Sequence, residues 1–88
     1  MYIIDGSKMT SRKEAYEEIK RAIEAPDYMG NNLDALHEVL TETVGEVRLT
    51  HACKMLMNLQ QYGCRMLTVF FDAAEENKHL IFTVGGHE

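Results

Sequence analysis

The chain holds one proline and two cysteines in 88 residues, and nowhere does it approach the ~20 consecutive apolar residues of a membrane span. With 45% hydrophobic and 26% charged residues, the scarcity of proline excludes a disordered or collagen-like chain. Two cysteines are too few for a disulfide framework, so Cys53 and Cys64 are expected to be buried or half-buried thiols in a reducing compartment. The N-terminus has neither the basic region nor the apolar run of a signal peptide, and the expected location is cytoplasmic. No glycine cluster has the form of a phosphate-binding loop or a nucleophile elbow, and the only glycine pair is Gly85-Gly86. His51-x-Cys53 with Cys64 lacks the paired spacing of a zinc site. No metal and no cofactor are expected.

Basic residues are missing where they would matter most. Between Arg21 and Arg48 there is no Lys or Arg, while Glu24, Asp27, Asp34, Glu38, Glu42 and Glu46 give that interval a charge of −6. The whole chain is at −5, so the remainder is close to neutral. Such a surface repels nucleic acid and attracts a basic protein. The length fits a single domain over residues 1–88. A domain of this size buries only ~60–65% of its unfolded surface, enough for a core but little for a deep, water-excluded cleft. Binding is therefore favoured over catalysis, and no cleft is expected.

What remains is a series of short elements. Tyr2-Ile3-Ile4 closed by Asp5-Gly6 predicts a strand ending in a turn. Ser11 with Glu14 three residues on has the capping-box form, with Met9 against the first turn. The helix that follows puts Ala15, Tyr16, Ile19, Ala22 and Ile23 on one face and ends near Glu24, ahead of Pro26. Asn32 is placed to cap a second helix running to about Val44, with Leu33, Leu36, Val39, Leu40 and Val44 as its apolar stripe and Gly45 as its stop. Glu46 to Thr50 alternates as a strand does, and Cys53 to Tyr62 predicts a short helix ended by Gly63. Met66 to Glu76 is strand-like in propensity, but its apolar residues, including Phe71, fall in a single helical arc. Leu80 to Val84 is a continuous apolar run suited to a central or doubly covered strand. The order of elements implies a small, mainly parallel sheet with about four helices packed on it.

The second helix carries the functional signal. Asp34, Glu38 and Glu42 stand at i, i+4 and i+8, a spacing that costs an isolated helix ~0.2–0.5 kcal/mol per like-charged pair. Glu42 also sits near the negative end of the helix dipole. The plain reading is a solvated face. Against it, no cation is interleaved, and the preceding loop offers Tyr28 and Met29, residue types favoured in binding patches. Asp72, Glu75 and Glu76 extend the acidic surface if the last helix lies alongside. His37, beside Asp34 and Glu38, is equally suited to stacking on a partner and to a plain surface role.

The segment PDYMGNNLDALHEVLT, from Pro26 to Thr41, resembles the barstar family of intracellular ribonuclease inhibitors. The early strand ending in Asp5-Gly6, the first helix running into Pro26 and the late segment VFFDAAEENKHLIFTV follow the family in the same order. The resemblance implies a barstar-like three-layer α/β fold with a small three-stranded parallel sheet. It also implies binding of a basic microbial ribonuclease, of the extracellular type, by the second helix and adjoining loop. Tyr28, Gly30, Asn32, Leu33, Asp34 and Thr41 match the family's contact positions in kind. Glu38 stands where the family has an aspartate that enters the ribonuclease's phosphate site. Asp72 stands at a glutamate position and Glu76 at an acidic one. His37 and Thr43 replace two tryptophans, and Val39 replaces a cysteine. The expected protein is not an enzyme but an inhibitor that is a monomer when free and blocks the ribonuclease active site with carboxylates. The alternative keeps the fold and changes the target: an immunity protein for a non-ribonuclease toxin, or an acidic interaction module.

Overall fold

The structure, a computed structural model, describes all residues from Met1 to Glu88. Strand β1, Tyr2–Asp5, is closed by its own last residue, whose carboxylate accepts from the Ser7 amide at 2.9 Å and the Ser7 hydroxyl at 2.6 Å. These bonds bend the chain into one 3-10 turn, Gly6–Lys8, and hold the Asp5 carboxyl below its usual range. Helix α1, Arg12–Ile23, starts as predicted, with Ser11 Oγ accepting from the Glu14 amide at 3.2 Å. The reciprocal arm of the box is absent, because the Glu14 carboxylate takes the Thr10 hydroxyl instead. The helix ends on Glu24 in the left-handed conformation, φ 53°.

Helix α2, Leu33–Thr41, is three residues shorter than predicted. The cause is competition for its last carbonyls. The Thr43 hydroxyl donates to the Val39 carbonyl at 2.8 Å, and the Asn77 carboxamide donates to the carbonyls of Leu40 at 3.1 Å and Thr43 at 2.7 Å. Val44 consequently leaves the apolar stripe and is 68% exposed. Gly45 does not stop the helix; it opens strand β2, Gly45–Thr50, with its amide donating to the His79 carbonyl at 2.9 Å.

Helices α3, Ala52–Leu59, and α4, Gln61–Glu76, meet at Gln60, whose φ of 53° and ψ of −125° break the helical path. Gly63 is not the break expected from the sequence. It lies inside α4, where a Cβ would approach the Leu59 Cβ to 3.2 Å and the Leu56 Cα to 3.4 Å, so its missing side chain lets the two helices cross closely. As a result α4 begins five residues before the predicted Met66.

Strand β3, Leu80–Val84, completes a parallel sheet of order β1-β2-β3, with Ile4 opposite Leu49 and Val47 opposite Phe82. The alternating strand β2 is therefore the central one. The continuous apolar strand β3 is an edge, with Ile81 60% exposed, which corrects the expectation of a central or doubly covered strand. Val47 and Leu49 are fully buried on the face that meets the helices, as is Ile4 of β1. On the opposite face Ile3 is 52% exposed. The three parallel strands in one sheet and the four helices are those expected of the barstar-like α/β fold. No helix is long and apolar enough to cross a membrane.

The core joins Tyr16 and Ile19 of α1, Leu36 and Leu40 of α2, Met55 of α3 and Met66 and Phe70 of α4 beneath the sheet, and Phe70 stacks on Phe82 at 4.8 Å between ring centroids. Phe71, assigned to the buried arc, is partly exposed and meets Phe82 edge-on at 5.1 Å. One carboxylate is buried in this frame. Glu18 accepts from the Asp5 amide at 2.9 Å and from Arg21 through two nitrogens at 2.7 and 3.1 Å. Burial raises its pKa, but the Arg21 hydrogen bonds and charge and the Asp5 amide outweigh this, so the carboxyl is held below its ordinary value of 4.5.

Two predictions follow from these polar anchors. Asn77→Ala removes the side-chain donor of the Leu40 and Thr43 carbonyls, the former keeping the Thr43 amide at 3.2 Å, and is expected to lower stability by about 1–3 kcal/mol in urea unfolding. For Glu18, a folded pKa below the unfolded one means that its contribution is complete above pH 4.5 and fades as pH falls through the lower folded value. Urea titrations at pH 7 and pH 3 should therefore show a smaller acid loss of stability in Glu18→Gln than in the parent.

Candidate functional site

Helix α2 is fixed at both ends by asparagine side chains. At its start Asn32 Oδ1 accepts from the Ala35 amide at 2.8 Å, as the sequence predicts. Gly30 makes room for this cap, since a Cβ there would lie 2.9 Å from Asn32 Nδ2. Lys20 Nζ of α1 donates to Asn31 Oδ1 at 2.6 Å and draws the loop toward the first helix. At the far end Asn77, 8% exposed, holds the last carbonyls. Leu36 and Leu40 are fully buried beneath the helix, and Leu33 and Val39 pack partly buried beside them.

With that side anchored, Asp34 and Glu38 are exposed one turn apart on the outer face. Thr41 stands half-buried at the end of this row, its hydroxyl donating to the Glu38 carbonyl at 2.7 Å. Tyr28 is 88% exposed at the head of the face. Its neighbour Met29 is not presented at all. At 4% exposure it belongs to the core, held inward by a turn in which its amide donates to the Pro26 carbonyl at 3.0 Å. Sequence reasoning pairs Tyr28 and Met29 as surface residues; a tight turn after proline sends consecutive side chains in opposite directions.

Helix α4 packs along α2, so the acidic residues of both helices are brought together. Asp72 and Glu76, one turn apart on α4, are exposed. Glu76 is tied to α2 by a bond between its Oε2 and His37 Nε2. His37 thus bridges the two helices from within the acidic face, a role its position alone does not reveal. Thr43 is half-buried with its hydroxyl engaged, at the rim and not on the outer face.

Behind that rim lies an open groove of about 530 Å³ between the end of α1, the segment Glu24 to Gly30 and α2. The groove is open to solvent and is not the deep, water-excluded cleft that catalysis would need. Its apolar wall includes Ile23, Pro26, Val39 and Val44, and its carboxylates are Glu24, Glu38 and Glu42. Glu24 is signalled in the sequence by the interval without cations, and Glu42 by that interval and by its spacing from Asp34 and Glu38. Elsewhere, Cys64 is exposed, unlike the expected buried thiol, and Cys53 is half-buried with its Sγ 4.0 Å from His87 Nε2. No group of three or more His, Cys, Asp and Glu residues is gathered as metal ligands.

The site is thus an acidic face on a helix pinned at both ends, headed by an exposed tyrosine. Among known families, residues 1–85 match the one described as Barstar (barnase inhibitor). The chain belongs to the barstar family, a family of ribonuclease inhibitors. Comparison with curated proteins gives no match.

The cap and its glycine are expected to act as a unit. Asn32→Ala should cost about 1 kcal/mol of stability. Gly30→Ala should cost measurably in the parent but little once Asn32→Ala has removed the side chain it meets, a non-additivity that a double-mutant cycle by urea unfolding would read.

Proposed function

We propose that this chain inhibits a basic ribonuclease of the barnase type by laying the outer face of α2 and the Tyr28 loop across its active site. The observation that carries the reading is the pair Asp34 and Glu38. Both are exposed, one turn apart on a helix held at both ends, in an interval with no Lys or Arg to neutralise them. A ribonuclease grips phosphates with Arg, Lys and His. Carboxylates held at the same spacing compete for those cations, and complementary potentials hasten encounter. Blocking requires no bond to be made or broken.

In this reading Glu38 enters the phosphate site, Asp34 and Thr41 flank it, and Tyr28, Gly30, Asn32 and Leu33 supply the loop side of the contact. Asp72 and Glu76 add negative charge from α4. Glu76 engages either as a pair with His37 or after exchanging that bond for one to the partner. The free protein is a cytoplasmic monomer. His37, occupied within the chain, and Thr43, withdrawn to the rim, favour a second reading in which the same face serves as an immunity surface against a toxin that is not a ribonuclease. Family tryptophans at those two positions would offer aromatic contacts that this chain cannot.

The test is inhibition of a panel of basic microbial ribonucleases, with Asp34→Ala and Glu38→Ala alongside the parent. Each substitution should raise the inhibition constant about tenfold or more, about 1.4 kcal/mol, while circular dichroism stays unchanged because both residues are exposed. Full inhibition by both variants would remove α2 from the contact, and inhibition of no ribonuclease would turn the search to toxins of other chemistry.

A further inference from the structure

The helices of this protein lie on one side of its sheet. The strand order β1-β2-β3 makes both connections step in the same direction, and right-handed crossovers that do so place their helices on a single face. Ile4, Val47 and Leu49 are fully buried against those helices. The residues that alternate with them form the opposite face: Ile3, Arg48 and Thr83 in one row across the sheet, Glu46 and Ile81 in the next. Ile3 and Ile81 are more than half exposed on the two edge strands, whereas the central strand between them is charged. The ion pairs of the protein are Arg21–Glu18, His37–Glu76 and His51–Asp5, which leaves Glu46 and Arg48 without a partner although both are half-buried.

Thr83 adds an independent observation. Its hydroxyl oxygen is buried and has no hydrogen-bond partner within the chain, a state that buried polar groups rarely keep. It stands beside Arg48 in the strand register. An acid, a cation two residues further along the same face and an unsatisfied hydroxyl beside the cation are complementary to the same set turned end for end. A second copy laid face to face, its strands antiparallel and the two-fold axis level with Val47, brings its Glu46 over Arg48 and its Arg48 over Glu46. Facing sheets pack ~10 Å apart, a gap that a glutamate and an arginine span together. The carboxylate that arrives over Arg48 is also one strand away from the Thr83 hydroxyl, to which it offers an acceptor. Ile81 meets the methyl group of Thr83 of the second copy. The other two-fold arrangement, with parallel strands, sets Glu46 on Glu46 and Arg48 on Arg48 and is repelled.

We propose that the open face of the sheet is a self-association surface, on which a second copy of this chain packs antiparallel through reciprocal Glu46–Arg48 ion pairs flanked by Ile3 and Ile81. The inference is independent of the reading of α2, which lies on the other side of the sheet, and pairing leaves the acidic face of each copy free. The patch is small. Three strands ~4.8 Å apart and about five residues at ~3.3 Å each cover roughly 15 Å by 16 Å, well short of the ~800 Å² per partner of a stable complex. The contact is therefore a transient one of concentrated protein, and the dilute chain of the inhibitor reading remains single.

The test is sedimentation equilibrium of the full chain. From about 10 µM to about 1 mM in low salt the mean mass should rise from one chain towards two, and high salt should suppress the rise. Arg48→Glu and Glu46→Arg should each stay single over that range. Mixed in equal amounts they should associate at least as strongly as the parent, since one then carries two acids and the other two bases at the facing positions. Both changes in one chain restore the complementary pair in exchanged order and should associate as the parent does. Circular dichroism checks the fold of each variant, and association regained by mixing or by the double change is a result that misfolding cannot imitate. A parent that stays single at about 1 mM, single variants that associate like the parent, or a mixture that does not associate would each overturn the proposal. So would association abolished by Ile81→Asp and untouched by Arg48→Glu, the signature of edge-to-edge pairing through β3.

Discussion

The side chain of Asn77 joins three elements with three hydrogen bonds. Its amide group donates to two carbonyls at the end of α2, and its carbonyl accepts from the His79 amide at the entrance to β3. A helix end leaves carbonyls that must find donors, and buried ones without them cost about 1–3 kcal/mol each. Here the donor comes from the last turn of the neighbouring helix, so the bond that completes α2 also sets its position against α4. Asn32 does the corresponding work at the other end from within the loop. Between the two, Leu36 and Leu40 are locked into the core. The helix is thereby seated with Asp34 and Glu38 outward, one turn apart.

The protein treats its acids in two distinct ways. Those that serve the fold are given donors: Glu18 receives Arg21 and the Asp5 amide, and Asp5 receives Ser7. Asp34, Glu38, Glu42 and Asp72 on the helices, and Glu24 at the end of α1, receive none. Glu76 is the exception among the acids of the face, paired with His37 across the α2–α4 contact. Asp34 and Glu38 stand near Asp72 because α4 packs along α2, and Glu24 and Glu42 border one groove with Glu38. Folding leaves these acids unpaired, and a basic surface can neutralise them.

Much of this was readable before the fold was in view, and the reasons for the rest are physical. The starts of α1 and α2 were legible because Ser11 and Asn32 cap locally, within three residues of the amide they satisfy. The ends of α2 and α3 were not. The donor for the former comes from Asn77, and the break after the latter falls on Gln60, a residue with no preference for the conformation it adopts. Gly63 misleads because a helix crossing needs glycine for the same missing Cβ that makes it a helix stop. β3 reads as central because its apolar run ignores which face is covered; one face receives α4 and the other remains open. Asp34 and Glu38 were legible as surface from spacing and Tyr28 from its residue type in a loop, whereas Met29 turned inward through a bond to Pro26 and the groove arose from three segments that no local pattern connects.

The bond from Asn77 to Leu40 spans 37 residues, and during synthesis the first half of the chain emerges well before its clasp. Until α4 has formed and turned into β3, α2 lacks both the helix it packs against and the donor for its final carbonyls. The β1–α1–α2–β2 half can pair its strands early, since β1 and β2 are neighbours in the sheet, but the acidic helix stays loosely seated for that time. The contact between α2 and α4 therefore forms late, although the residues of α2 are made early. A nascent or truncated chain carries the charge of α2 without its geometry, and only the complete fold seats that helix.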